Sequence, residues 1–166
     1  MTRIRMILAA LIVLVLAAGV GVLFHQHRQN AEIEQARTEA VDAASEQALA
    51  MLAYDYTGVD EQLAAAADGL TGDFKDEYTA LVGDVIAPAA KEKSLTVQVT
   101  VLGAAIVSAE PDTATVLLFL NQITTSSDAP EAASSGSRVR MSVEKADGRW
   151  LTNNLEPIYS PVPKAP

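Results

Sequence analysis

The chain has 166 residues, no cysteine, and 12 Lys+Arg against 21 Asp+Glu, a net charge of −9. That length is one domain's worth. The lack of cysteine excludes a disulfide scaffold, a thiolate zinc site, an iron–sulfur cluster, a cysteine nucleophile and an acylated lipoprotein. A pI near 4.6 excludes a wrapper of nucleic acid, which needs a clustered basic face.

Mean hydropathy is +0.18, and the excess comes from the N-terminus. Met6 to Phe24 carries no charged or strongly polar side chain. As a helix it spans roughly 28 Å, about one hydrocarbon core. Arg3 and Arg5 precede it, so the positive-inside rule leaves residues 1–5 in the cytoplasm and exports the rest. The expectation is a transmembrane anchor over 6–24. A cleaved signal peptide, with Ala17-Ala18-Gly19 near the cut, is the alternative. Beyond the anchor the balance is ten basic to 21 acidic residues, or −11. Such a surface repels anionic headgroups, so the exported part is expected to stand off the bilayer.

His25 to about Ala53 is expected as a stalk that becomes the first helix. Ile33, Ala40, Val41, Ala44, Ala48 and Leu52 recur at helical spacing. Thr57-Gly58 breaks it. A short second helix is expected over Asp60 to Ala67, with Asp60 as N-cap. Asp73 is expected to cap a third, on which Phe74, Tyr78, Leu81, Val85 and Ile86 share a face. Pro88 is expected to kink or end it.

From Leu95 the period changes to two. Leu95 to Val101 alternates as a half-buried strand, and Gly103 marks a bulge or bend. Glu110-Pro111-Asp112 is a turn. Thr113 to Thr125 is the next strand, and Val116 to Leu120 is apolar on both faces. Leu117 and Phe119 therefore need a cover: a ligand pocket, a partner protein, or the sheet itself if it curls. Asp128 to Ser137 is expected to be a flexible loop. Val139 to Glu144 is a strand, Asp147-Gly148 a hairpin turn, and Arg149 to Leu155 the last strand, with Trp150. The Pro-rich tail, 157–166, is expected to be extended or disordered. The fold class is α+β: an N-terminal transmembrane helix, then three helices on a curved four-stranded antiparallel sheet. The folded domain spans 54–156 with the end of the first helix. This layout resembles the nuclear transport factor 2-like cone.

Catalytic chemistry is sparse. His25 and His27 point apart on a helix, and no histidine lies further along. No Gly-rich phosphate loop or calcium-loop spacing is present. Asp55 or Asp73 beside Tyr54 or Tyr56 is the remaining acid–base candidate, in the manner of a ketosteroid-isomerase-like cone. The plainer reading makes the tyrosines core residues and the aspartates caps. The expectation is a non-enzyme with no cofactor and no metal.

Tyr54-Asp55-Tyr56, Leu70-Thr71-Gly72-Asp73-Phe74 with Tyr78, Val116 to Gln122, and Lys145 to Leu151 with Trp150 resemble the Mce-associated membrane proteins of actinobacteria. That resemblance implies a single-pass, extracytoplasmic accessory subunit of an Mce lipid importer. It would stabilise the complex by touching transporter subunits or the permease. The implied structural motif is Tyr54, Asp55, Tyr56, Thr71, Gly72, Phe74, Tyr78 and Trp150, with Leu117 and Phe119 at a pocket or interface. The family is also similar in shape to type IV secretion assembly scaffolds. A lipid-binding carrier is the other reading left open.

Overall fold

The computed structural model describes residues 27–158, apart from 29 and 130. The anchor expected over 6–24 and the tail beyond 158 lie outside the described residues. Among those described, no helix is long and apolar enough to cross a membrane.

Helix α1 covers 30–52. Its buried face is built from alanines at every fourth position: Ala36, Ala40, Ala44 and Ala48 are at most 2% exposed. Small side chains at that spacing let the helix axis approach the sheet closely. Residues before Ala36 are mostly exposed. A short strand follows, β1 (Tyr54–Asp55), then α2 (Val59–Ala66), a 3₁₀ turn (Ala67–Gly69), α3 (Gly72–Leu81), a π turn (Val82–Ile86) and α4 (Ala87–Lys93). Four longer strands complete the chain: β2 (Thr96–Ala109), β3 (Thr113–Thr125), β4 (Ala133–Ala146) and β5 (Arg149–Pro157).

The sheet is an antiparallel meander in the order β1-β2-β3-β4-β5. It is therefore five-stranded, not four-stranded. The extra member is β1, where Tyr54 pairs with Val97 and Asp55 with Thr96. Two residues are too short to show a period, so the sequence read them as a helix end. Register shifts at Val101/Gly103, Ile106/Ser108 and Ser142/Val143 insert extra residues, which raise local twist and curl the sheet. Gly103 sits at the first of these, where a bulge was expected. Asp147 (φ 51) and Gly148 (φ 76) make the tight β4–β5 turn expected of an Asp-Gly pair.

The inner face of the sheet carries Val116, Leu118, Leu120, Val139, Met141 and Val143, all buried. They form one core with the α1 alanines, Leu63 of α2, and Tyr78, Val82, Ala87 and Ala90 of the α3–α4 segment. β3 and the second half of β4 thus bury alternate residues, and the helices cover that face only.

Three local expectations change. Gly58, not Asp60, occupies the N-cap of α2; Asp60 lies in the first turn and pairs with Lys91 of α4. Thr71, not Asp73, occupies the N-cap of α3, without a side-chain bond. Pro88 does not end the helical run. The Ala87 N–H reaches back five residues to the Val82 carbonyl, which resets the helix phase. Pro88 then falls in the first turn of α4, where a missing N–H is harmless. A fourth change concerns 128–137. Ala133 to Ser137 is not a flexible loop but the start of β4, paired with Thr124 to Leu120. Small polar residues have weak strand propensity, and here the neighbouring strand overrides it.

Two glycines meet local constraints: at Gly69 a Cβ would push the flexible end of Gln47 aside, and at Gly72 the backbone is left-handed. A Cβ on Gly69 would lie 1.8 Å from Gln47 Oε1, and Gln47 uses its Nε2 to donate to the Ala66 carbonyl at 2.7 Å. Gly72 has φ +59 at the start of α3, a left-handed conformation that side chains resist.

Candidate functional site

The residues singled out in the sequence separate into four places. Tyr54 and Asp55 lie at the β1 edge. Tyr54 is half-buried against the core, and burial raises its phenol pKa. Asp55 Oδ1 accepts from the Thr57 N–H at 2.9 Å and the Thr57 hydroxyl at 2.5 Å. Its Oδ2 accepts from the Thr96 hydroxyl at 2.7 Å. The Thr57 hydroxyl, then Thr96 and the Thr57 amide, hold this carboxyl below its ordinary range. Asp55 closes the break after α1 as expected, and a carboxylate held this way is a weak proton acceptor. Tyr56 is 38% exposed and is not a core residue. A groove of about 520 Å³ opens beside β1, lined by Tyr54, Asp55, Gln62, Thr96 and Gln98 among others.

Thr71, Gly72, Phe74 and Tyr78 belong to the second place, the junction of α3 with β5. The Thr71 N–H donates to the Thr152 carbonyl at 3.0 Å, beside a parallel bridge between Leu70 and Thr152. Phe74 is half-buried against the core. Tyr78 is 6% exposed, and its hydroxyl donates to the Met51 carbonyl at 3.2 Å. Burial pushes its pKa up to about 12.

Trp150 marks the third place, and here the sequence reading missed the residue that organises it. Glu39, in mid-α1, is the acceptor for three side chains. Trp150 Nε1 and Lys145 Nζ each donate to Oε2 at 2.9 Å, and Gln35 Nε2 donates to Oε1 at 2.7 Å. Lys145 Nζ also lies 5.6 Å from the Trp150 ring centroid. This cluster fastens α1 to the β4–β5 hairpin. Bonds from Lys145, Trp150 and Gln35, in that order, lower the Glu39 pKa from 4.5 to about 2. Nothing in one sequence separates Glu39 from the neighbouring acids, because two of its three partners, Lys145 and Trp150, are more than a hundred residues away.

The sign of the linkage is that of a depressed carboxylate. Its stabilisation is full above pH about 4.5 and is lost as pH falls toward about 2. Thermal melts of the wild type and Glu39→Gln between pH 7 and 2 are expected to differ most above pH 4.5 and to converge in acid. Parallel curves across the whole range would contradict this role.

Leu117 and Phe119 face the other way. Phe119 is 41% exposed and opposes Gly103 on one side and Arg138 on the other. Leu117 is half-buried and opposes Ala105 and Arg140. The apolar Val116–Leu120 stretch is thus covered on its inner side alone. Leu102 and Val107, one at each register shift, add exposed apolar surface at 68% and 58%. Arg140 is paired with Glu156 at 3.1 Å. No cluster of His, Cys, Asp or Glu suited to a metal occurs among the described residues.

A helix-backed, curled antiparallel sheet of this kind is the fold of type IV secretion periplasmic domains. An IcmL-like type IV secretion protein from Legionella pneumophila superposes with a TM-score of 0.63 at 16% identity, over 76% of this chain and 96% of that one. The periplasmic domain of DotI gives 0.61, also at 16% identity, over 72% and 93%. At that identity the likeness is one of fold. The chain belongs to the family described as "Uncharacterized protein Rv1363c/MT1408-like", whose model matches residues 1–158. A relative from Mycobacterium tuberculosis (strain H37Rv), called outer membrane protein Rv1973, is 42% identical over 146 residues, 87% of this chain and 90% of that protein. Another from the same strain, the uncharacterized protein Rv1362c, is 35% identical over 154 residues, 92% of this chain and 70% of that protein.

Proposed function

We propose that this protein is a membrane-tethered envelope subunit that works by binding other proteins, as an accessory of an Mce-type lipid import complex. The observation that carries this reading is the outer sheet face. Leu102, Val107 and Phe119 are large, apolar and exposed, beside Leu117, on a chain whose surface is otherwise strongly acidic. Leu49, Leu81 and Val85 on the helical side are exposed as well, but singly; apolar side chains that adjoin one another on an open sheet suit a docking site. The likeness to type IV secretion domains and a relative named for the outer membrane support an envelope role. The Mce assignment rests on the sequence resemblance described above. The apolar run over 6–24 would supply a single-pass tether, with the folded domain outside the cytoplasm. Protein docking is a non-enzymatic role and calls for no cofactor or metal.

The test is to tag the C-terminus of the full chain, crosslink in native membranes and identify what is recovered. Mce lipid-binding subunits or their permease support the proposal. Secretion or conjugation components indicate an assembly scaffold of another machine, and a lone chain carrying lipid indicates a carrier. Phe119→Asp is expected to cut recovery of the partner severalfold while leaving the melting temperature within a degree or two, because exposed substitutions shift stability by only about 0.5 kcal/mol. Membrane fractionation of the same strain reports which membrane holds the tether.

A further inference from the structure

Strand β2 has an open edge. Beyond Val97 no strand of the described residues pairs with it on the side away from β3, because β1 is only two residues long. Such edges are ordinarily blunted with charge or proline, or twisted away by β-bulges, of which β2 carries two. Thr96–Ala109 contains no Asp, Glu, Lys, Arg or Pro, in a chain of net charge −9.

The two bulges give this edge a symmetry. Val101, Ile106 and Ala109 pack on the core, and Ala104 lies opposite buried Leu118. Gly103, Ala105 and Ser108 lie opposite the outward residues Phe119, Leu117 and Thr115. Leu102 and Val107, the extra residues, are open to solvent. From Val101 to Ala109 the faces therefore run in, out, out, in, out, in, out, out, in. That pattern is a palindrome about Ala105.

We infer that β2 pairs with β2 of a second copy, antiparallel, with the two-fold axis at Ala105. In this register inner residues meet inner residues: Val101 faces the partner copy's Ala109, and Ala104 its Ile106. Outer residues meet outer ones: Leu102 faces Ser108, and Gly103 faces Val107. Each bulge lies opposite a bulge, so the ladder stays in phase, which a regular partner strand could not maintain along this edge. A self-complementary patch is what a two-fold interface demands. A charge-free strand also lets two acidic chains meet without like charges face to face. The pair would form a continuous sheet eight strands wide, β2 to β5 of each copy, with each β1 on the same edge of β2 as the partner copy, and would double the apolar outer face.

The chain has no cysteine, so Ala105→Cys places a single thiol on the axis. Directly opposed antiparallel residues have Cα atoms about 4.5–5.5 Å apart, within disulfide reach. Full-length Ala105→Cys in mild detergent is expected to form a covalent dimer on gentle oxidation, whereas Thr79→Cys, exposed on α3, is not. By light scattering the wild type is expected to be a dimer. Ala105→Lys alone and Ala105→Glu alone are each expected to raise the dimer dissociation constant by about tenfold. An equimolar mixture of the two is expected to recover the dimer, which shows that neither variant has simply misfolded. A monomeric wild type would overturn the inference. So would a dimer indifferent to both charges, or a thiol at 105 that crosslinks to a different protein.

Discussion

Tyr78→Ala is expected to be among the most damaging single substitutions in the folded domain. The ring is 6% exposed at the meeting point of α1, α3 and the sheet. Truncating a buried aromatic costs about 3–5 kcal/mol, from lost burial and the cavity left behind. For a chain of this size that corresponds to a melting-temperature drop on the order of 10 °C. Tyr78→Phe separates packing from hydrogen bonding. It keeps the ring, loses only the bond to the Met51 carbonyl, and is expected to cost about 1 kcal/mol. The alkaline limb supplies a second readout. Because the folded pKa is raised from 10.0 to about 12, the Tyr78 contribution is complete below pH 10 and disappears as pH climbs toward 12. Melts of wild type and Tyr78→Phe from pH 7 to 12 are expected to converge over that window. Equal damage from the Phe and Ala variants would refute the packing role.

Ala44→Leu is expected to act through the opposite defect. Ala44 is fully buried between α1 and the sheet, within the alanine stripe at 40, 44 and 48. A larger side chain there forces the helix away from its seat or into strained rotamers, typically costing about 1–3 kcal/mol. Because α1 is long and rigid, a shift at position 44 is expected to disturb the Glu39 bonds one turn earlier. Tryptophan fluorescence makes this visible, since Trp150 is the chain's single tryptophan and donates to Glu39. A red shift of its emission should accompany the loss of stability. Ala43→Leu, one residue away on the half-exposed side, is expected to alter neither. Unchanged emission in Ala44→Leu would mean that the stripe does not set the position of α1.

Much of the architecture was legible in the residues because local pattern and tertiary context agree there. The apolar run Val116 to Leu120, between the turn at Glu110-Pro111-Asp112 and the polar stretch after Thr125, located β3 with its observed ends, and Asp147-Gly148 its turn. The failures share a cause. Tyr54–Asp55 is a strand only because Thr96 and Val97 are beside it, and Ala133 to Ser137 only because β3 offers partners. The helix continues past Pro88 only because one π turn realigns it. Each depends on residues distant in sequence or on a phase change that no periodic template contains. The same holds for the candidate surfaces. Leu117 and Phe119 stood out as residues in need of a cover. The palindrome of faces along β2 could not be read, since it depends on where the two bulges fall. Glu39 looked like one solvated acid among several until the fold brought Lys145 and Trp150 to it.

The placement of Glu39 has a mechanical side. The first described turn of α1 is largely exposed; Glu32 and Gln35 border a groove with Pro111, Asp112 and Lys145, and close packing on the body begins at Ala36. A pull or twist delivered to the N-terminal end of α1 would load the ties to Lys145 and Trp150 first. Behind them the alanine stripe, with no interlocking bulk, resists sliding weakly. The hairpin at Asp147-Gly148 is therefore the part of the sheet that would move with the stalk. Strain applied to α1 would reach the far end of the sheet through one carboxylate.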